Sequence, residues 1–136
     1  LVNLVSDAAV RQADNSRWYW LIGQATREKD IREYAECWLR PAPIEVAGGA
    51  SQGYDKFQRA YVIAPEPAAA EISITLRPQA PVVNPAFVIE GAPAAFSSVR
   101  CSLPDATAAL GREDDGKRLV VWVEGRFDRE FTLQVR

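Results

Sequence analysis

Histidine and methionine are both absent from this chain of 136 residues. Without an imidazole there is no serine–histidine or cysteine–histidine catalysis and no ordinary zinc site, so most hydrolytic mechanisms are excluded. The missing Met, together with an N-terminus that has no basic stretch followed by an apolar one, reads as a mature product or a piece of something larger. Lys29, Lys56 and Lys117 are the only lysines among 16 basic residues, and no concentrated basic face recommends nucleic acid as a partner. No apolar run approaches the ~20 residues of a membrane span. The formal net charge is −2. Arginine in place of lysine, with abundant alanine, is the residue usage of GC-rich genomes and points to a bacterial source.

Apolar residues make up 48% and charged residues 25%, which supplies a core and argues against disorder. The chain length suits one domain. From about Arg27 to Arg40 the apolar positions Ile31, Tyr34, Ala35, Trp38 and Leu39 follow helical spacing, which predicts an amphipathic helix. Thr26 is the expected N-cap, Glu28 to Arg32 and Glu36 to Arg40 are i,i+4 pairs, and Pro41 and Pro43 stop the helix. After Pro43 the period changes to two. Glu71 to Arg77 and Phe131 to Arg136 alternate without a break and predict strands with one buried face. Ile44 to Val46, Phe57 to Ala64, Phe87 to Glu90, Phe96 to Leu103 and Arg118 to Glu124 are further candidate strands. Leu119 to Val123 is apolar on both faces and belongs in the centre of a sheet. The expected fold is mainly β, an antiparallel β-sandwich with one amphipathic α-helix near the N-terminus. Residues 1–43 would supply N-terminal strands (Leu1 to Val5, Arg17 to Ile22) and a connector helix, and residues 44–136 the sandwich, as one compact unit. Asp114-Asp115-Gly116 reads as a hairpin turn, and Gly125 to Asp128 as the turn of a hairpin joining the last two strands.

Four residues stand out as ligand candidates. Trp18 and Trp20 would project from one face of a strand, either as a platform for sugar rings or as packing groups. Tyr54 and Asp55 lie on a Gly-bounded loop where they would stack on and hydrogen-bond a polar ligand, or simply make the turn. A glycosidase needs two acids facing each other across a substrate. Asp55, Glu90, Asp105 and Glu124 are available, but no spacing singles out a pair. Asp114 and Asp115 do not fit a spaced calcium loop. Cys37 and Cys101 are the only cysteines. They read either as a disulfide tying helix to sheet, which would suit a secreted or periplasmic protein, or as two separate buried thiols. No catalytic residue, metal site or cofactor is expected.

Val82-Val83-Asn84-Pro85-Ala86-Phe87-Val88-Ile89, Lys117 to Val123 and the closing strand together resemble the C-terminal β-sandwich accessory modules of bacterial polysaccharide-degrading enzymes. The likeness covers roughly the last 55 residues. It implies a noncatalytic accessory role, with a neighbouring catalytic domain or chain of the same protein as partner and polysaccharide as a second one. The alternatives are a structural or protein–protein interaction domain and a carboxylate-dependent fragment of a glycan-active enzyme. If the indoles contact sugar, Trp18→Ala should reduce retention in gels cast with polysaccharide while circular dichroism stays unchanged. Equal retention of both proteins would remove Trp18 from the contact surface.

Overall fold

The computed structural model describes residues 28–113 and 116–136. The strands expected at Leu1 to Val5 and Arg17 to Ile22, the Thr26 cap, Trp18, Trp20, Asp114 and Asp115 lie outside the described residues. The described fold is a mainly β sandwich with one helix, as the change of period at Pro43 predicts.

Helix α1 spans Glu28–Leu39. Its last backbone bond runs from the Arg40 N–H to the Glu36 carbonyl at 2.8 Å, after which Pro41 has no amide hydrogen to continue the pattern. The strands then follow as β1 (Ile44–Ala47), β2 (Gly49–Asp55), β3 (Ala60–Pro65), β4 (Ile72–Leu76), β5 (Val82–Val83), β6 (Ala86–Glu90), β7 (Val99–Cys101), β8 (Thr107–Glu113), β9 (Arg118–Glu124), β10 (Arg126–Phe127) and β11 (Phe131–Val135). One sheet has the order β1-β4-β11-β7 and the other β2-β3-β6-β9-β8, with β10 and β5 forming a separate two-stranded ribbon. All pairs are antiparallel except β3 with β6. Those two strands run the same way because the chain leaves the five-stranded sheet after β3, passes through β4 and β5, and returns.

The alternation in β4 and β11 is converted directly into burial. Ile72, Ile74 and Leu76, like Phe131, Leu133 and Val135, face inward, while Ser73, Thr75, Thr132 and Gln134 take the other face. They meet Tyr61, Ile63, Phe87, Ile89, Leu119, Val121 and Val123 from the opposite sheet in one cluster. Each large apolar side chain fully removed from water contributes about 1.5–3 kcal/mol. In β6 and β9 the other face is apolar too, so Ala60, Ala86, Val88 and Val120 form a second buried cluster, with Trp122 against it. That accounts for the two-sided apolar run of Leu119 to Val123.

Four expectations need correction. Gly125 to Asp128 does not close a hairpin, because β9 pairs with β6 and β8 whereas β11 pairs with β4 and β7. Instead the segment crosses between sheets. The Gly125 amide donates to Asn84 Oδ1 at 2.9 Å, and Arg126–Phe127 then pairs with β5. Of the strand expected over Phe96 to Leu103 only Val99–Cys101 forms, with Phe96 buried in the preceding loop. The strand expected from Phe57 begins at Ala60, since residues 56–59 make the β2–β3 turn. On the helix, the contact stripe is rotated. Glu33 and Cys37 face the β5/β10 ribbon, while Trp38 and Leu39 are 37% and 58% exposed. Four strands escaped the sequence reading: β2, whose glycines and bulge hide the alternation, β8, which is rich in alanine, and the two-residue strands β5 and β10, too short to display a period.

Gly48 turns the chain from β1 into the opposite sheet with φ +77°, and a Cβ there would overlap the Glu71 carbonyl oxygen. Phe87→Ala should lower unfolding free energy by about 3–5 kcal/mol in urea titration, through lost transfer energy and an unfilled cavity. Gly48→Ala should also destabilise, and a wild-type midpoint for either variant would contradict this packing.

Candidate functional site

The turn between β2 and β3 is built by Asp55. Its Oδ1 accepts the Phe57 and Gln58 amides at 2.8 and 3.2 Å, and its Oδ2 accepts the Gln58 side-chain amide at 2.7 Å. These bonds, the Gln58 side chain first, hold the Asp55 carboxyl below the usual carboxylate value. Its oxygens are therefore engaged in the turn. Tyr54 lies at the end of β2 with its ring edge-on to Tyr61, centroids 4.9 Å apart, and Tyr61 stacks on Phe87 at 5.3 Å. The Tyr61 hydroxyl donates to the Ala42 carbonyl at 2.7 Å, which fixes the chain just beyond the helix. Tyr54 and Asp55 are thus adjacent, one packed toward the core and the other capping the turn.

The turn places Phe57 at its tip, 91% exposed. Beside it the Trp38 indole N–H donates to the Lys56 carbonyl at 3.0 Å, and the Arg59 guanidinium carbon sits 5.4 Å from the centre of the indole. A cation over an aromatic face is attractive by about 0.5–1 kcal/mol in a partly exposed setting. The indole is therefore pinned from two sides. Trp38, Leu39 and Phe57 are the exposed large apolar side chains among the described residues, and a hydrogen bond links the Trp38 and Phe57 segments directly. This aromatic edge was missed in the sequence, where Trp38 and Leu39 read as the buried helix face. The Asp55-x-Phe57 spacing carried the available signal, because an Asp side chain that binds the backbone two residues on marks a turn, and turns lie at the surface.

Of the four acids considered for catalysis, Asp105 and Glu124 share a cleft, while Asp55 and Glu90 stand apart from it and from each other. Glu90 and Glu113 flank Arg118 at 3.2 and 2.9 Å, on neighbouring strands β6, β8 and β9. Asp105 and Glu124 line one open cleft of about 350 Å³ with Asp128, Arg126, Phe127 and Arg129. Asp55 is in the β2–β3 turn. Arg126 is held by Glu33 at 2.8 Å. Among the described residues no group of three His, Cys, Asp or Glu side chains is arranged to hold a metal ion.

Both cysteines are free thiols. Cys37 donates to the Pro81 carbonyl at 3.1 Å and accepts the Val83 amide at 3.3 Å, which docks the helix on the ribbon. Burial pushes its thiol pKa up. Cys37 also lines a second cavity of about 260 Å³ with Glu36, Arg40 and Pro81. Comparison with known proteins finds no family model that matches this chain, no similar curated protein and no similar solved structure.

Burial raises Tyr54 to about 12 and raises Tyr61 as well, so the folded chain keeps protons that the unfolded chain releases. Their stabilising contribution, with that of Cys37, is complete below pH 9.0 to 10.0 and is lost as pH climbs through the folded values. Urea midpoints should begin to fall near pH 9.0, where Cys37 would ionise in the unfolded chain, and fall most steeply between pH 10.0 and about 12, and Tyr61→Phe should flatten that steeper part. Constant wild-type midpoints over this range would show these groups to be solvated.

Proposed function

We propose that this chain is a noncatalytic accessory β-sandwich module of a larger carbohydrate-active protein, and that it meets its neighbouring catalytic domain or chain through the aromatic edge of Trp38, Leu39 and Phe57. The observation that carries this reading is Phe57. A phenylalanine 91% exposed at the tip of a turn held rigid by Asp55 leaves apolar surface in water that contact with a partner would remove. The Trp38 indole beside it has its N–H bonded and its orientation set, so little side-chain freedom is lost on docking. Aromatic and arginine side chains grouped in this way are the usual energetic centres of protein interfaces. The carbohydrate connection rests on the resemblance of Val82 to Ile89, Lys117 to Val123 and the closing strand to accessory modules of polysaccharide-degrading enzymes.

A second reading, direct contact with polysaccharide, is favoured by the same pinned indole, since sugar rings stack their C–H faces on fixed aromatic surfaces. Under either reading the module acts by placement. The secreted or periplasmic location and the bacterial source belong to this proposal through its substrate.

Phe57→Ala should leave stability within about 0.5 kcal/mol, because the ring makes few contacts in the folded chain. Affinity electrophoresis in soluble polysaccharides and a glycan array separate the two readings. Retention lost in Phe57→Ala and Trp38→Ala assigns the edge to sugar. No retention of the wild type on any glycan removes that reading. A photo-crosslinking residue at position 57 of the full-length protein should then capture the adjoining domain, and its failure to do so would sink the docking proposal.

A further inference from the structure

The five-stranded sheet is dry on both sides of its centre. Its inner face meets the four-stranded sheet, whereas Ala60, Ala86, Val88 and Val120 point the other way and are at most 1% exposed. The register fixes that face. Ala86 stands opposite Trp122 and Val88 opposite Val120, alternating with the inward Phe87 and Val121. The four side chains span the adjacent strands β3, β6 and β9, a patch about 10 Å wide at the usual strand spacing.

Alanine and valine are too short to shield one another from above. On an open sheet their methyl groups would meet water, and strands apolar on both faces belong to sheets covered on both. Trp122 packs against the cluster, but it is itself only half-buried, and one indole does not roof three strands. Helix α1 packs on β5 of the ribbon. Beside the patch Glu90 and Glu113 bind Arg118 at 3.2 and 2.9 Å, so the bordering charges answer one another and the patch itself calls for an apolar cover.

We infer that this outer face is the docking surface for residues 1–27 of the same chain, with Trp18-Tyr19-Trp20-Leu21-Ile22 as the stretch that covers Val88 and Val120. A face kept dry within one chain is covered by that chain, and beyond the described residues there remain only 1–27 and the pair 114–115. Trp18 to Ile22 is the longest apolar run of the segment, and two indoles supply the breadth that the patch needs. The length also fits. Helix α1 ends at the β2–β3 turn, after which β3 begins at Ala60, and its 12 residues set Glu28 about 18 Å back from that end. The six steps from Glu28 to Ile22 span about 20 Å when extended, enough to return to the face. Trp18 and Trp20 are then packing groups rather than a platform for sugar. The inference does not rest on the docking proposed for Trp38, Leu39 and Phe57.

Nuclear Overhauser spectra of the intact protein should place the Val88 and Val120 methyl groups in contact with ring protons of Trp18, Tyr19 or Trp20. Benzoylphenylalanine at position 122 should cross-link, within one chain, to the tryptic peptide released by cleavage after Arg17 and Arg27. Methyl groups that meet no ring of residues 1–27 overturn the inference. So do cross-links that miss residues 1–27, or that appear only at doubled mass. The spectra require no substitution and decide the matter should the position-122 variant fail to fold. Phe57→Ala should leave the Val88 and Val120 contacts unchanged, so the two proposals fail separately.

Discussion

The constraint on which the rest depends is the period of two in β4 and β11. These strands lie side by side in the centre of the four-stranded sheet, and their six inward side chains are at most 1% exposed. A shift of one residue in either register would turn Ile72, Ile74 and Leu76, or Phe131, Leu133 and Val135, out into water and bring threonine and glutamine in. Burial of those side chains outweighs the visible ion pairs. Arg77 with Glu45 and Glu130 is exposed on all sides, and such pairs contribute about 0–1 kcal/mol. The surface arginines decorate a fold that the apolar layer between the sheets already holds.

From that layer, rigidity is carried outward by a chain of aromatic contacts. Phe87 is fully buried, Tyr61 stacks on it, and Tyr54 meets Tyr61 edge-on. Tyr61 binds the Ala42 carbonyl, which anchors the segment that ends α1, while Trp38 binds the Lys56 carbonyl in the β2–β3 turn. The helix end and the turn thus share supports that lead to the same core. Phe57 is exposed at the tip of a turn fixed by these supports rather than on a loose loop. The Cys37 thiol, bonded to Pro81 and Val83, fixes the other side of the helix.

Much of the architecture was legible because amphipathic period is a local property. Ile72 to Leu76 and Phe131 to Val135 alternate in the sequence as they do in the sheets, and Pro41 and Pro43 mark the end of the helix. β2 and β8 were not legible. Gly49, Gly53, Ala108, Ala109 and Gly111 carry too little side chain to display a period, and their strand conformation comes from pairing with β3 and β9. The site was legible only in part. Asp55 as a turn-maker follows from its residue type, and Tyr54 beside it from adjacency. That Trp38 faces outward beside Phe57 depends on where the β5/β10 ribbon meets the helix.

By itself, then, the amino-acid order determined the class of the fold, the helix and its stop, the central strands and the absence of imidazole chemistry. Each follows from the spacing of apolar residues or from the presence or absence of a functional group. The tertiary structure alone decided which strands pair and how the chain crosses at Gly125. It also decided that both thiols stay free, that Asp105 and Glu124 share a cleft while Asp55 and Glu90 lie elsewhere, and that Trp38 joins Phe57 at one edge. Those outcomes depend on contacts between residues far apart in the chain, and only packing selects among such contacts.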